Sequence, residues 1–272
     1  MGGHYSYAYA ISANGTTVVG YSYLGGNDNY GHGFVWRVGD TAMTDIGTLS
    51  DGTYSSASMV SDDGLVVVGS ANTMGSSTYG YSRAIRWTDA GGIIDLGTLG
   101  GNYSYAEAMN NDGSVIVGEA ETAPDVNTDD TYYHAYRWSV GADGINGTMT
   151  DLGTLGGNYS SAYDVNADGT VVVGYAEDSS DNAHGFRWTS EDGMISIEQW
   201  LRNNGVHPRR QRVHALCGPV ARQHQERRLH GNRWLLPGYL RREQGSLDHR
   251  ARWCRSRPFP DRRDPPARSR RG

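Results

Sequence analysis

Three histidines, His32, His134 and His184, each stand four residues before a tryptophan. A histidine held by an oriented carboxylate is the commonest general acid–base in enzymes, so this column is the first place to look for chemistry. A second stretch, DVNADG at 164–169, sets oxygen-bearing side chains at alternate positions before a glycine, as in the opening half of an EF-hand calcium loop. The second half does not follow. The bidentate glutamate that completes such a loop falls six residues after the glycine, where this chain has Tyr175. The run Thr170-Val171-Val172-Val173 reads as strand, whereas an EF-hand needs helices on both sides.

Repetition decides between chemistry and architecture. YSYAYAISANGTTVVGYS from Tyr5, YSSASMVSDDGLVVVGSA from Tyr54, YSYAEAMNNDGSVIVGEA from Tyr103 and YSSAYDVNADGTVVVGYA from Tyr159 align without a gap, at offsets of 49, 49 and 56 residues. A second block follows each: HGFVWR at His32, RAIRWT at Arg83, HAYRWS at His134 and HGFRWT at His184. A third, DIGTLS at Asp45 and DLGTLG at Asp95 and Asp151, leads into the next unit, and Gly2-Gly3-His4 fits the end of a similar block. In the column of Asp164 the other copies have Ala10, Met59 and Ala108, so the calcium pattern occurs once. What recurs is Asn-Gly or Asp-Gly at Gly15, Gly64, Gly113 and Gly169, between β-forming runs, the strongest short hairpin signal; a type I′ turn is expected there.

A period near 50 residues marks a solenoid, a propeller or an array. Each unit yields four short strands: in the last, one through 162–166, one at 170–176, one at 185–189, and one at about 149–155 at the preceding junction. Four strands per unit match a propeller blade. The predicted fold is therefore all-β, a β-propeller-like array of four-stranded blades over 1–194, with Trp36, Trp87, Trp138 and Trp188 packed between neighbours. A parallel β-helix is the runner-up; its coils repeat at shorter periods and do not use hairpins. Four blades by themselves leave a ring incomplete, with open edges that invite aggregation.

Composition splits the chain. Residues 1–199 carry 5 Arg against 25 acids, formally −20; residues 200–272 carry 19 Arg against 5 acids, formally +14. Both cysteines, Cys217 and Cys254, lie in the second part, so neither a disulfide framework nor thiolate metal ligands serve the repeats. No apolar run is long enough for a membrane helix, and the start, MGGHYSYAYA, has neither the positive flank nor the apolar stretch of a secretory signal.

Together the L-G-T-L-G-G, Y-S-x-A, N-x-D-G-x-V-V-V-G and H-[AG]-[FY]-x-W blocks resemble the HAF repeat of bacterial extracellular proteins, with Arg83-Ala84-Ile85 the copy that departs most. The resemblance covers residues 1 to about 199. It implies a surface or secreted location and, as in many members, the passenger of an autotransporter exported through an outer-membrane translocator barrel. This chain shows none of the alternating ten-residue segments such a barrel needs. Residues 195–206 resemble a short helical segment that follows the repeats in such proteins. The resemblance does not supply an activity.

From 207 to 272 the pattern stops and the text turns Arg- and Pro-rich without lysine. This tail reads as out of frame or as a disordered basic segment. Arg210, Arg227, Arg228, Arg241 and Arg242 could grip phosphates, but no stacking platform or basic fold accompanies them, so nucleic acid is not an expected partner.

Two functional classes remain. One is a surface binding or adhesion module whose variable loops (23–30, 70–81, 119–133 and 176–182) offer tyrosines to glycans or host surface proteins, with Tyr23, Tyr30, Tyr79, Tyr132 and Tyr133 as the candidate binding residues. The other is a propeller enzyme acting on an extracellular carbohydrate through residues present in one blade only, such as Glu107 or Asp164. His32, His134 and His184 recur once per unit and are read as structural, as are the tryptophans and the turn glycines. No nucleophile elbow, phosphate loop, zinc motif or dinucleotide fingerprint is present, and neither cofactor nor metal is expected. Repeat symmetry favours binding.

Overall fold

A computed structural model describes residues 1–25, 27–74, 80–126 and 128–206, of which 27–30 are described as backbone only. The tail 207–272, and Tyr79, lie outside the described residues, as does the side chain of Tyr30. Among the described residues sixteen strands form four separate four-stranded sheets, each an antiparallel meander in chain order. The first blade holds β1 (Ser6–Ile11), β2 (Thr17–Leu24), β3 (Asn27–Arg37) and β4 (Thr44–Asp45). The second holds β5 (Ser55–Val60), β6 (Val67–Thr73), β7 (Tyr81–Thr88) and β8 (Gly92–Asp95). The third holds β9 (Gly100–Met109), β10 (Val115–Thr122), β11 (Tyr133–Val140) and β12 (Gly147–Asp151). The fourth holds β13 (Gly156–Val165), β14 (Val172–Asp178), β15 (Ala183–Thr189) and β16 (Gly193–Ser196), followed by α1 (Ile197–Asn203). The blades do not close a ring: among the described residues no strand of the fourth pairs with one of the first.

Two details differ from the sequence expectation. The strand placed at 149–155 is β12; it pairs with β11 and completes the third blade, and it stops at Asp151 because the following Leu152-Gly153 turns out of the sheet. The hairpins are not type I′. Gly169 N–H donates to Asn166 C=O at 2.9 Å, and of the turn residues only the glycine has positive φ, 74°. A type I′ turn needs positive φ at both central residues; here a turn is followed by a single left-handed glycine, the arrangement of a hairpin with a glycine bulge. The same geometry recurs at Gly15, Gly64 and Gly113. Side chains lock each turn from inside. Asn110 Oδ1 accepts the N–H of Val115 and Asp112 Oδ1 that of Ser114, with Ser12 and Asn14 doing the same in the first blade.

The core lies between sheets. Each blade turns a leading face toward its predecessor and a trailing face toward its successor. The first junction packs Val19, Val35 and Ile46 of one blade on Ala57, Val67, Ala71, Ile85 and Trp87 of the next. The second and third repeat this arrangement around Trp138 with Tyr136, and around Phe186 with Val172. Trp87 and Trp138 are 6% and 2% exposed, and Trp188 packs at the edge of the third cluster. Trp36 is more open than Trp87 or Trp138. The glycine closing each V-V-V-G run has a steric reason: a Cβ on Gly174 would strike the carbonyl oxygen of Ser161 and the ring of Phe186, and Gly20, Gly69 and Gly118 face equivalent carbonyls.

Candidate functional site

The histidine column ties the third strand of a blade to its fourth. His32 Nδ1 lies 2.9 Å from Asp45 Oδ2, and His134 Nδ1 lies 2.9 Å from Asp151 Oδ2. In the second blade Arg83 takes the histidine's place, 3.8 Å from Asp95. Each aspartate also accepts the N–H of the glycine two residues on, at 2.7 Å for Gly47, 2.8 Å for Gly97 and 2.7 Å for Gly153, and so shapes the link to the next blade. Burial pushes the Asp151 carboxyl up, but the hydrogen bonds from His134 and Gly153 outweigh it and hold it below the usual carboxylate range. In the fourth blade the aspartate column carries Ser196, which instead caps α1 by accepting Gln199 N–H at 3.1 Å. His184 turns to Asp178 at 3.0 Å. An arginine can replace histidine here, which suits a structural tie and not a proton shuttle.

The oxygens of 164–169 are engaged locally. Asp164 Oδ1 accepts Val165 N–H, Asn166 Oδ1 accepts Val171 N–H, and Asp168 Oδ1 accepts both the N–H and the hydroxyl of Thr170. These bonds hold the hairpin. Among the described residues no group of three or more His, Cys, Asp or Glu is placed to hold a metal ion.

Tyrosines gather at the blade junctions. Tyr21 meets Tyr54 at 5.5 Å, Tyr81 meets Tyr103 at 5.2 Å and Tyr132 meets Tyr159 at 5.5 Å, each pair spanning a junction. Of the loop tyrosines named from sequence, Tyr132 is therefore committed to a junction, and Tyr133 packs 6.2 Å from Tyr105 with its phenol pushed up by burial. Tyr23 sits 5.2 Å from Tyr21 and 6.1 Å from Tyr5. It belongs to a larger cluster that also holds Tyr7 and Tyr9, 50% and 53% exposed and stacked at 6.5 Å with only 10° between their rings. Burial and neighbouring phenols push Tyr9, Tyr21 and Tyr54 above the usual tyrosine value.

Four columns run through this side of the blades, some members exposed and others, Ser56, Glu119, Glu121 and Ser161, buried, and the chain varies them while keeping its framework. The first blade has Tyr7, Tyr9, Tyr21 and Tyr23; the second has Ser56, Ser58, Ser70 and Asn72; the third has Tyr105, Glu107, Glu119 and Glu121; the fourth has Ser161, Tyr163, Tyr175 and Glu177. Strand pairing brings them together, since Tyr7 faces Tyr21, Ser56 faces Ser70, Tyr105 faces Glu119 and Ser161 faces Tyr175 across the first two strands of each sheet. The second column falls at the register shift of the first strand in every blade, where a bulge re-aims the side chain. The last column also does structural work: Asn72 and Glu121 each accept backbone N–H groups of the incoming chain, at Tyr54 and Tyr103. In the third blade burial, and after it the charges of Glu107 and Glu119, push the Tyr136 phenol up, and among the described residues its buried hydroxyl has no hydrogen-bond partner.

The variable loops do not include Tyr7, Tyr9 and Tyr21, which the structure groups with Tyr23. The signal was available as columns that change chemistry from copy to copy between columns that do not. This is a β-propeller-like repeat protein.

No protein-family model matches the chain, and no curated protein matches it. Among solved structures it is similar to TolB from Acinetobacter baumannii, with a TM-score of 0.42 and 14% identity over 71% of this chain and 43% of that one. It is also similar to the β-propeller domain of the Trilobed protease from Pyrococcus furiosus, described as having an open velcro topology, with a TM-score of 0.44 and 10% identity over 71% and 58%. The putative TolB from Agrobacterium tumefaciens gives 0.40 and 14% over 71% and 62%. The chain spans about half the length of these structures.

Proposed function

We propose that this protein is a surface-exported binding module of the HAF-repeat type, and that the exposed members of the four variable columns contact glycans. The observation that carries the reading is the change of those columns from tyrosine to serine to glutamate between blades whose core and turns stay the same. A rigid scaffold with a variable surface is how recognition is commonly built. Tyrosine presents a flat amphipathic face at low entropic cost, suited to the C–H face of a sugar ring, while Ser58, Asn72 and Glu107 can hydrogen-bond hydroxyls. Export through an outer-membrane barrel belongs to the same reading and rests on the repeat motifs.

Immobilised-glycan binding by the full chain tests it. Tyr7→Ala with Tyr9→Ala should abolish retention while the circular dichroism spectrum stays unchanged; retention equal to wild type would sink the assignment. Protease treatment of intact cells tests location: a chain that survives while a periplasmic control also survives is not at the surface.

A second reading, carbohydrate hydrolysis, is favoured by Glu107 and Glu119, whose charges both reach Tyr136, because a pair of carboxyl groups is the usual equipment for that reaction. Turnover of a bound oligosaccharide that disappears with Glu107→Gln, binding being retained, would establish it.

A further inference from the structure

The variable columns divide by charge as well as by shape. None of their sixteen positions holds Lys, Arg or His, and all four of their carboxylates, Glu107, Glu119, Glu121 and Glu177, fall in the third and fourth blades. Residues 100–196 contain four side chains that can carry positive charge, and each is engaged elsewhere: His134 with Asp151 at 2.9 Å, Arg137 with the Gly169 carbonyl at 3.0 Å, His184 with Asp178 at 3.0 Å and Arg187 with Asp192 at 3.1 Å. This side of the two blades is acidic.

Of the third blade's three glutamates, Glu121 holds the incoming chain and the Thr131 hydroxyl, and Glu119 is buried. Glu107 is half-buried and is the one a ligand can reach. It stands at the bulge of β9, and Tyr163 stands at the corresponding bulge of β13, the first strand of the next blade, which packs alongside. Tyr105 lies 6.2 Å from Tyr133 and Tyr163 lies 5.7 Å from Tyr175, so each of the two blades brings a pair of rings to the same side as the carboxylate.

A buried hydroxyl points into this cluster. Tyr136 occupies the column of Phe34, Ile85 and Phe186, where the phenylalanine rings lie over the strand glycines Gly20 and Gly174. Tyr136 pairs with Gly118 and Gly118 with Ala106, so the same placement carries its oxygen past that glycine toward Ala106 and Glu107. The oxygen is fully buried, has no hydrogen-bond partner among the described residues, and feels the charges of Glu107 and Glu119. A buried hydroxyl without a partner is rare, and marks a place where a further group completes the bonding. The blade that adds this hydroxyl is also the blade that puts carboxylates in both the second and third columns.

The chemistry of the missing group follows from these donors and acceptors. Among the described residues no three metal-ligating side chains converge, so a bare metal ion lacks its oxygen shell here. An ammonium group needs less: it donates three hydrogen bonds, is attracted by a carboxylate, and is stabilised over a tyrosine ring. We infer that the glycan bound by these columns carries a free ammonium group, with Glu107 as its counter-ion, Tyr105, Tyr163 and Tyr175 as aromatic wall and the Tyr136 oxygen as a further acceptor. The inference rests on the glycan-binding reading and narrows it to amino sugars.

Calorimetric titration of the full chain with chitosan oligosaccharides, and with the same oligosaccharides after complete N-acetylation, tests this in a mildly acidic buffer that keeps the amines protonated. The two probes share a backbone and differ in charge. The amine form should bind roughly tenfold tighter, and the gap should shrink as salt is raised. Glu107→Gln should bring the two forms to within about threefold of each other. Tyr136→Phe, which installs the residue of the first and fourth blades, should fold and weaken the amine form by roughly fivefold. Equal affinity for the two forms would overturn the inference and leave glycan binding standing, as would an amine preference untouched by both substitutions. Failure to bind either form or any other glycan would remove the underlying reading as well.

Discussion

The hydroxyl of Ser160 accepts the backbone N–H of Ala135 at 2.8 Å across the junction of the third and fourth blades, and it donates to the Gly153 carbonyl at 2.6 Å. One side chain thus satisfies two backbone groups of the neighbouring blade in a site with no solvent access. Ser160→Ala is expected to cost about 1–3 kcal/mol, the penalty of orphaning buried polar groups. Ser6→Ala, at the exposed equivalent, should stay within about 0.5 kcal/mol. Urea unfolding of both variants checks the contrast; equal losses would show that the serine is not acting as an inter-blade bond.

The tryptophan column should respond to position as well. Trp138, 2% exposed at the second junction, is expected to lose about 3–5 kcal/mol on replacement by alanine. Trp36→Ala should lose clearly less, because part of its ring already faces water. A denaturation series in which the two variants shift alike would mean that Trp138 is not packed as described.

Hairpin glycines divide into strained and crowded. Gly15 and Gly169 share positive φ, 72° and 74°, so alanine costs about 1–2 kcal/mol at either from backbone strain. A Cβ on Gly15 meets nothing within 4 Å, whereas one on Gly169 runs into the Val115 side chain of the preceding blade. Gly169→Ala should therefore lower the melting temperature further than Gly15→Ala. The reverse order would argue that the turns do not abut neighbouring blades.

Acid should weaken the fourth blade through Asp178. Hydrogen bonds from Asn182, His184 and Ser180 hold its carboxyl down at about 2. A carboxyl whose folded value is depressed contributes stability that is complete above its unfolded value and is lost as pH falls through the folded one. The melting-temperature gap between wild type and Asp178→Asn should be constant above about pH 4 and shrink toward pH 2. A gap that does not change with pH would remove the charge from the explanation.

Alkali should open the first junction. Tyr9, Tyr21 and Tyr54 have phenols raised by burial, so the folded state holds protons that the unfolded chain releases above about pH 10. Stability contributed by these groups is complete below that pH and falls as pH rises further. Tyrosinate absorbance should appear together with unfolding in the wild type; ionisation of all tyrosines before any loss of structure would contradict the packing.

Legibility followed the physics. Alternating β-branched runs broken by Asp-Gly were enough to place β6, β10 and β14, because strand periodicity and turn chemistry are local. The repetition of the histidine column was legible, although its aspartate partners could not be paired with it: Asp45 is thirteen residues from His32 in sequence and becomes adjacent only when β3 and β4 fold together. The ring contacts of the loop tyrosines were hidden for the same reason. Tyr132 looked free in sequence and is engaged by Tyr159 of the next blade.

By itself the sequence determined the all-β class, the count of four units, the hairpins and the inter-blade place of the tryptophans, since each follows from short-range pattern and period. Tertiary structure alone decided that Ser55, Ser104 and Ser160 join blades and that Tyr7, Tyr9, Tyr21 and Tyr23 share one surface. These depend on which strand faces which across a junction. That pairing is set by the packing of whole sheets, and no local propensity encodes it.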